Sequence, residues 1–221
     1  MVGAQAPSII KGNYMSQKTF SFTPTDDDTN GFAAATAGTS GQPITLTATV
    51  ITDGNLAHKV SILPSGSVTG SYTLTGTDSD GNPQTEVLAT DTVNSVTSVK
   101  YYLTLTEVLA PAGIGANTVD IGWTDACISK TIPINWRQSS MEVSLGCFVT
   151  GTIDFDVQHC FDNVQVLGTY PSTLNWFVHA SIDGATTSVD GNYAFPVTAT
   201  RLVINSSTAG ATIDFSVVQG V

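Results

Sequence analysis

The chain has 221 residues, of which 41% are hydrophobic and only 11% are charged, and its formal net charge is −11. That apolar content is enough to form a core and excludes a globally disordered chain. The acidic balance is opposite to what phosphate backbones attract, so we expect no nucleic-acid partner. No apolar run approaches the roughly 18 residues that span a bilayer. Residues 1–12 lack the charged start and apolar block of a signal peptide, which predicts synthesis in the cytoplasm and no membrane partner.

The start of the chain predicts little regular structure. Residues 1–17 show no clear period and predict an N-terminal arm that becomes ordered on a neighbouring subunit. Residues 18–25 alternate and predict a short strand. Residues 26–31 predict a polar turn, and the small residues at 33–41 predict a flexible loop.

The clearest local signal is a hairpin over residues 71–87. Tyr72 and Leu74 fall on one face of its first arm, and serine and threonine fall on the other. This two-residue period is typical of a strand that is buried on one side. The Asp-Gly-Asn triplet at 80–82 tolerates the positive φ that a tight turn needs, so it predicts the turn between the arms.

Alternating stretches with the same period recur along the rest of the chain. In chain order they are residues 44–50, 60–62, 84–89, 99–108, 119–123, 132–136, 141–149, 153–158, 194–205 and 213–217. Further Asp-Gly-Asn triplets at 53–55 and 190–192 predict turns, and 176–178 is a short apolar stretch. No segment sustains a 3.6-residue period over ten positions, so no substantial helix is expected.

These patterns predict an all-β protein with two β-sandwich or barrel-like domains in tandem, immunoglobulin-like or jelly-roll-like. The predicted division is an N-terminal arm at 1–17, a first β-sandwich domain at 18–126 and a second at 127–221. The junction falls in the polar stretch 124–130.

The cysteines predict no disulfide framework and no metal site. The number of cysteines is odd, and the spacings between Cys127, Cys147 and Cys160 match no Cys-x-x-Cys pattern. Reduced, mostly buried thiols are therefore expected, because free cysteine behaves as a small hydrophobe.

Two segments rich in side-chain oxygen atoms have two interpretations, a cation site or a simple turn. Residues 78–82 (Asp-Ser-Asp-Gly-Asn) space their oxygen ligands like the start of a calcium loop. The bidentate glutamate is missing downstream and Pro83 interrupts the loop, which favours a hairpin turn. Residues 26–28 are three aspartates, and an exposed acidic turn is favoured there too.

No constellation of residues predicts an active site. His58, His159 and His179 have no metal-ligand spacing, so core or surface histidines are expected. No Gly-x-Ser-x-Gly elbow, Walker motif or dinucleotide fingerprint occurs. We therefore assign no catalytic, cofactor-binding or metal-binding residue, expect no cofactor, and predict that the protein is not an enzyme.

Aromatic side chains offer an alternative in carbohydrate binding. A stacking platform for sugars and a set of core or interface anchors are both consistent with their chemistry, and anchors are the commoner role. The side chains concerned are Trp123, Trp136, Trp176, Tyr101, Tyr102 and Tyr170.

Two groups of segments resemble a known class of proteins. The first group is residues 72–87 with the strand at 100–102, and the second is 155–162, 176–179 and 190–202. Together they resemble virion structural proteins of tailed bacteriophages, in the head-decoration (cement) and head–tail accessory group. The resemblance implies a β-rich protein without enzymatic activity, located in the virion and assembled in the host cytoplasm.

The resemblance also implies partners. They are the major capsid protein or other virion proteins, and further copies of the chain in a homo-oligomer such as a trimer. Capsid decoration is the principal expectation. The alternatives are a tail, neck or receptor-contacting accessory protein, a carbohydrate-binding adhesin module, and a hydrolase of cell-surface polymers.

Overall fold

A computed structural model of the chain describes residues 16–51, 56–135, 142–164 and 173–219. Strands dominate the described residues, and no helix occurs among them. The all-β class of sandwiches and barrels that the sequence predicts is therefore confirmed. The strands are β1 (Ser16–Phe22), β2 (Asp28–Ala37), β3 (Ala57–Pro64), β4 (Ser71–Thr77), β5 (Pro83–Ala89), β6 (Val96–Tyr102), β7 (Thr104–Leu109), β8 (Thr118–Ile128), β9 (Ile132–Pro133), β10 (Val143–Thr150), β11 (Ile153–Cys160), β12 (Trp176–Val178), β13 (Val189–Tyr193), β14 (Ala199–Ser207) and β15 (Thr212–Gln219).

The described strands form three antiparallel sheets. The largest has eight strands along the path β12-β11-β14-β8-β3-β6, with β2 added at β8 and β9 added at β14. A four-stranded sheet has the order β1-β15-β10-β13, and a three-stranded sheet has the order β5-β4-β7. The eight-stranded sheet thus runs through both halves of the chain.

Two large hydrophobic cores lie against the eight-stranded sheet. One combines its β11 and β14 with the four-stranded sheet and includes Phe155 and Phe215, both fully buried. The other combines its β2, β3 and β8 with the three-stranded sheet and includes Tyr72 and Leu74. Burial of apolar area of this kind is the main favourable contribution to folding.

Each core draws mainly on one half of the chain, but the core of the four-stranded sheet also takes residues from the first half. The buried residues of the core of the four-stranded sheet include Phe22 and Leu56 from the first half of the chain, the others all follow residue 126, and the partly buried Phe20 packs against them. Phe22 arrives on β1, which pairs with β15 in the register Phe20↔Phe215. Residues 1–15 of the predicted arm lie outside the described residues, and residues 16 and 17 belong to β1.

Three expectations for residues 26–50 are wrong. The predicted turn at 26–31 overlaps β2, which begins at Asp28. The predicted loop at 33–41 is strand as far as Ala37, because β2 pairs with β8, with register shifts before and after Ala33. The predicted strand at 44–50 forms a single isolated bridge, at Val50 to Thr104. Its backbone bonds go to different neighbours: Ile44 to β7 and Thr47 to Phe32. The alternation there reflects burial and not ladder pairing.

Two later expectations also need correction. The long strand predicted at 99–108 is interrupted at Leu103, where the chain leaves the eight-stranded sheet for the three-stranded one. The predicted turn at 190–192 is part of β13 and pairs with β10. A side chain on Gly191 would meet the His179 ring at 2.8 Å, so the glycine there makes room for a ring. The turn predicted at 53–55 lies outside the described residues.

Candidate binding surfaces

The hairpin at 71–87 forms as the sequence predicts, and its aspartate holds the turn. β4 and β5 pair from Ser71↔Ala89 to Thr77↔Pro83, and Gly81 has a φ of 86°. The Asp78 carboxylate accepts hydrogen bonds from the backbone N–H of Asp80 (2.9 Å) and of Asn82 (2.9 Å). The Asp78 side chain thus closes a hairpin turn, which is the alternative that the sequence favours for residues 78–82.

The tip of this hairpin is fastened to the segment that follows β8. The Asp80 carboxylate accepts hydrogen bonds from the Thr131 backbone N–H (2.9 Å) and hydroxyl (2.6 Å). Nearby, the Gln84 side-chain amide donates to the backbone carbonyl of Tyr101 at 2.6 Å. Hydrogen bonds to a charged group are the stronger kind, so the turn is held firmly against its neighbours.

A crevice of about 430 Å³ lies between the hairpin tip and the eight-stranded sheet. Asp78, Asp80 and Gln84 line it on the hairpin side. On the sheet side, the strand register shows which side chains share a face, because cross-strand partners point to the same face. Arg201 is opposite Gln158, and Trp176 is opposite Cys160, two residues further along the same strand.

Arg201 is the most constrained cation of the crevice. Its guanidinium lies 4.1 Å from the centroid of the Trp176 ring, a cation–π contact. Its Nε and Nη2 donate to the side-chain oxygen of Gln158 at 2.9 Å and 2.7 Å. Burial lowers the pKa of Arg201 to about 10, which leaves it protonated at neutral pH.

Three of the seven basic residues of this acidic chain gather around Tyr101. Lys100 and Arg201 line the crevice together with Tyr101, and the Lys59 ammonium lies 5.2 Å from the centroid of the Tyr101 ring. Lys100 donates from Nζ to the carbonyl of Thr85 at 2.8 Å. The crevice is therefore far less acidic than the protein as a whole.

The predicted aromatic platform is divided in the structure. Tyr101 and Trp176 line the crevice together. Tyr102 is buried in the core of the three-stranded sheet, and Trp123 packs edge-on against Phe32. Trp136 and Tyr170 lie outside the described residues.

A second surface is an exposed cluster of three phenylalanines, here called the phenylalanine patch. Phe161, Phe177 and Phe195 are each about half exposed, at 51%, 51% and 47%. The centroid of the Phe161 ring is 5.6 Å from that of Phe177 and 5.8 Å from that of Phe195. The cluster extends the core outward, because the buried Tyr193 lies 6.1 Å from Phe195. The sequence did not single out this patch: its members come from three separate segments.

His159 lies beneath the phenylalanine patch. Its ring is buried, with centroids 5.3 Å from Phe161 and 5.1 Å from Tyr193. Its Nδ1 has no hydrogen-bond partner among the described residues. Burial lowers the pKa of His159, and the neighbouring His179 lowers it further.

We expect this histidine to make stability depend on pH. Because its pKa in the folded protein is below the unfolded value of about 6.5, protons bind the unfolded chain preferentially. The contribution of the neutral His159 ring to the free energy of unfolding is fully present above about pH 6.5. It is lost as the pH falls below that value. Urea unfolding from about pH 7.5 to about pH 5 should show a smaller loss of stability for His159→Gln than for the unchanged protein. Equal losses would show that His159 does not titrate in this way.

The remaining candidate residues serve structural contacts. Asp27 accepts a hydrogen bond from the Asp125 backbone N–H, and Asp28 accepts one from that of Asn30. His58 is fully buried, with Nδ1 2.8 Å from the Thr124 carbonyl oxygen. The burial of the thiols is confirmed: Cys127, Cys147 and Cys160 are all buried, and burial raises the pKa of Cys147 to about 12.

The described ranges contain neither a cluster of metal ligands nor a membrane-spanning helix. No group of three or more histidine, cysteine or acidic residues is placed there to hold a metal ion. None of the described segments forms a helix long and apolar enough to cross a membrane.

Comparisons with known proteins add no relative. No protein-family model, no curated protein and no solved structure matches the chain. Inferences about function therefore depend on its own residues and geometry.

Proposed function

We propose that the chain is a non-enzymatic structural protein of a bacteriophage virion, with capsid decoration as its role. In this proposal it binds the capsid surface as a homo-oligomer, with the major capsid protein as its partner. The sequence resemblance to decoration and head–tail accessory proteins suggests the role. The observation that carries the homo-oligomeric part of the proposal is the phenylalanine patch.

The patch has the composition of a protein interface. Exposed apolar groups that cluster mark interaction sites more often than single exposed ones do. Aromatic residues are enriched in the cores of interfaces, where one side chain contributes a large contact area. Phe161, Phe177 and Phe195 supply three rings that are each half exposed and held from below by buried His159 and Tyr193.

We assign the patch to contacts between copies of this chain. Phe177 belongs to β12, which is the last strand on the described path of the eight-stranded sheet. One edge of β12 pairs with β11, and its other edge faces away from that sheet. Each copy therefore presents a sheet edge beside an apolar surface, and a second copy offers the same combination in a self-complementary form.

Weak contacts become effective on a capsid because many copies bind one lattice. Each additional contact of an oligomer occurs at the high effective concentration set by the first. The net charge of −11 keeps the subunits soluble before assembly. A reaction centre is not needed for this activity.

The self-association is tested by size-exclusion chromatography with light scattering. We expect the unchanged chain to form an oligomer of the 23.0 kDa subunit. The double variant Phe161→Ser/Phe177→Ser should be monomeric with an unchanged circular dichroism spectrum. Phe148→Ser is the matched control, because Phe148 is 63% exposed on β10 and should leave the oligomer intact. A monomeric unchanged chain, or an oligomer that survives the double variant, contradicts the assignment.

Among the alternatives, a tail, neck or receptor-contacting accessory role is the nearest. It shares the resemblance and the phenylalanine patch with the decoration role, and differs in the number of copies in the particle. A dozen copies or fewer would favour it, following the symmetry of a tail or neck ring. Quantitative mass spectrometry of purified particles measures that number directly.

A further inference from the structure

We propose that the crevice between the hairpin tip and the eight-stranded sheet binds a saccharide that carries a carboxylate, such as a hexuronic acid. This activity is separate from the proposed assembly through the phenylalanine patch. Failure of either proposal leaves the other standing, because they use different residues.

The crevice has one wall, the hairpin, held by hydrogen bonds, and it has the size of a small-molecule site. Its 430 Å³ fall within the range of about 300–1,000 Å³ typical of ligand pockets. The bonds of Asp80 to Thr131 and of Gln84 to the Tyr101 carbonyl hold the hairpin at its place over the sheet. A site of this kind costs little ordering on binding, which favours affinity.

The cations of the crevice are arranged for an anionic group. Arg201 is positioned by the Trp176 ring and by Gln158, which accepts from two of its five N–H donors. Gln158 and the Thr85 carbonyl, which bind Arg201 and Lys100, are both neutral. A fixed guanidinium matches a carboxylate in shape as well as in charge.

The acids of the crevice accept hydrogen bonds from neutral donors, and the charges of Asp78 and Asp80 also act on Arg201. Asp78 accepts from two backbone N–H groups and from the Asn82 side chain, and Asp80 accepts from Thr131. With Lys100 and Arg201 they bring the formal charge of the crevice to zero, whereas the chain carries −11. An anion therefore meets less repulsion here than over the average surface of the protein.

The aromatic and neutral polar residues that line the crevice suit the pyranose ring and the hydroxyl groups of a sugar. Tyr101 and Trp176 contribute aromatic surface that packs against the C–H groups of a pyranose ring. Gln84 and Thr85 contribute amide and hydroxyl groups, which exchange hydrogen bonds with sugar hydroxyls in either direction. Aromatic surface, neutral polar groups and a held guanidinium in one crevice favour an acidic saccharide over a bare inorganic anion.

Binding is tested with the full chain by isothermal titration and by ligand-observed NMR. The probes are D-glucuronate and D-galacturonate, with D-glucose and D-galactose as neutral counterparts and sulfate as a bare anion. We expect a hexuronate to bind, and its neutral counterpart to bind at least about tenfold more weakly, the value of one lost charged hydrogen bond. Sulfate should bind more weakly than the hexuronate.

Variants locate the site. Arg201→Gln and Lys100→Gln should each abolish most of the preference for the hexuronate. Lys130→Gln removes an exposed cation that does not line the crevice and should leave binding unchanged. Lys100 is exposed, so its variant keeps the test valid if Arg201→Gln fails to fold. No binding of either hexuronate, equal binding of sulfate, or equal effects of Lys100→Gln and Lys130→Gln would overturn the proposal.

Discussion

Replacing Phe155 by alanine is expected to lower the free energy of unfolding by about 3–5 kcal/mol. Phe155 lies on β11 of the eight-stranded sheet, is fully buried, and belongs to the core shared with the four-stranded sheet. Truncation removes its apolar contacts and leaves a cavity that strands on both sides cannot close. Urea denaturation followed by tryptophan fluorescence measures the loss.

The control is Phe148→Ala on β10. Phe148 is 63% exposed, so its truncation removes little buried area and should change the stability by no more than about 0.5 kcal/mol. The comparison holds the chemistry of the substitution constant and varies only burial. Losses of equal size in the two variants would contradict the placement of the core.

Gly122→Ala is expected to destabilise the fold by about 3 kcal/mol or more, at the upper end of overpacking effects. Gly122 lies on β8 where β2 crosses it closely. A Cβ atom there would collide with the carbonyl oxygen of Asp28 and would lie 2.6 Å from the carbonyl carbon of Thr29. Both obstacles are backbone atoms, so no side-chain rotation relieves the clash.

Gly146→Ala provides the matched comparison. Gly146 also lies within a strand, but the nearest atom to its added Cβ is the Ser216 Cβ at 3.9 Å, an ordinary contact. Its stability should change by no more than about 0.5 kcal/mol. If Gly122→Ala proved as mild as Gly146→Ala, the close approach of β2 to β8 would be wrong.

The sequence predicts best those strands whose burial and pairing agree. Tyr72 and Leu74 on β4, and Ile213, Phe215 and Val217 on β15, are buried as their alternation indicates. There the buried face is regular and each backbone pairs with its neighbour in a continuous ladder. The Asp-Gly-Asn turn between β4 and β5 adds a local signal of its own.

The strand predictions fail where the pattern of side-chain burial does not match the backbone pairing. Ile44 is buried and its neighbours alternate, yet the backbone there bonds to several partners and forms no strand. Over β2 the reverse holds: small residues and register shifts remove the period although the strand exists. The alternation of side chains indicates which face of a segment is buried, but it does not predict which backbone groups the segment bonds to.

Long-range pairing is beyond local patterns as well. The pairing of β1 with β15 joins the two ends of the described chain, and nothing in residues 16–22 identifies that partner. The two candidate binding surfaces arise in the same way. The sequence marks Tyr101 and Trp176 as aromatic candidates, but only the fold brings them into one crevice with Arg201. Phe161 and Phe177 meet only because the end of β11 lies beside the start of the antiparallel β12.

Electron cryomicroscopy of the intact particle tests the central claim of assembly most directly. If the chain is a decoration protein, density with the shape of its three sheets will repeat across the capsid lattice, and neighbouring copies will meet at the phenylalanine patch. Density confined to the neck or tail would assign the alternative structural role. Purified particles that lack the chain altogether would contradict a virion function.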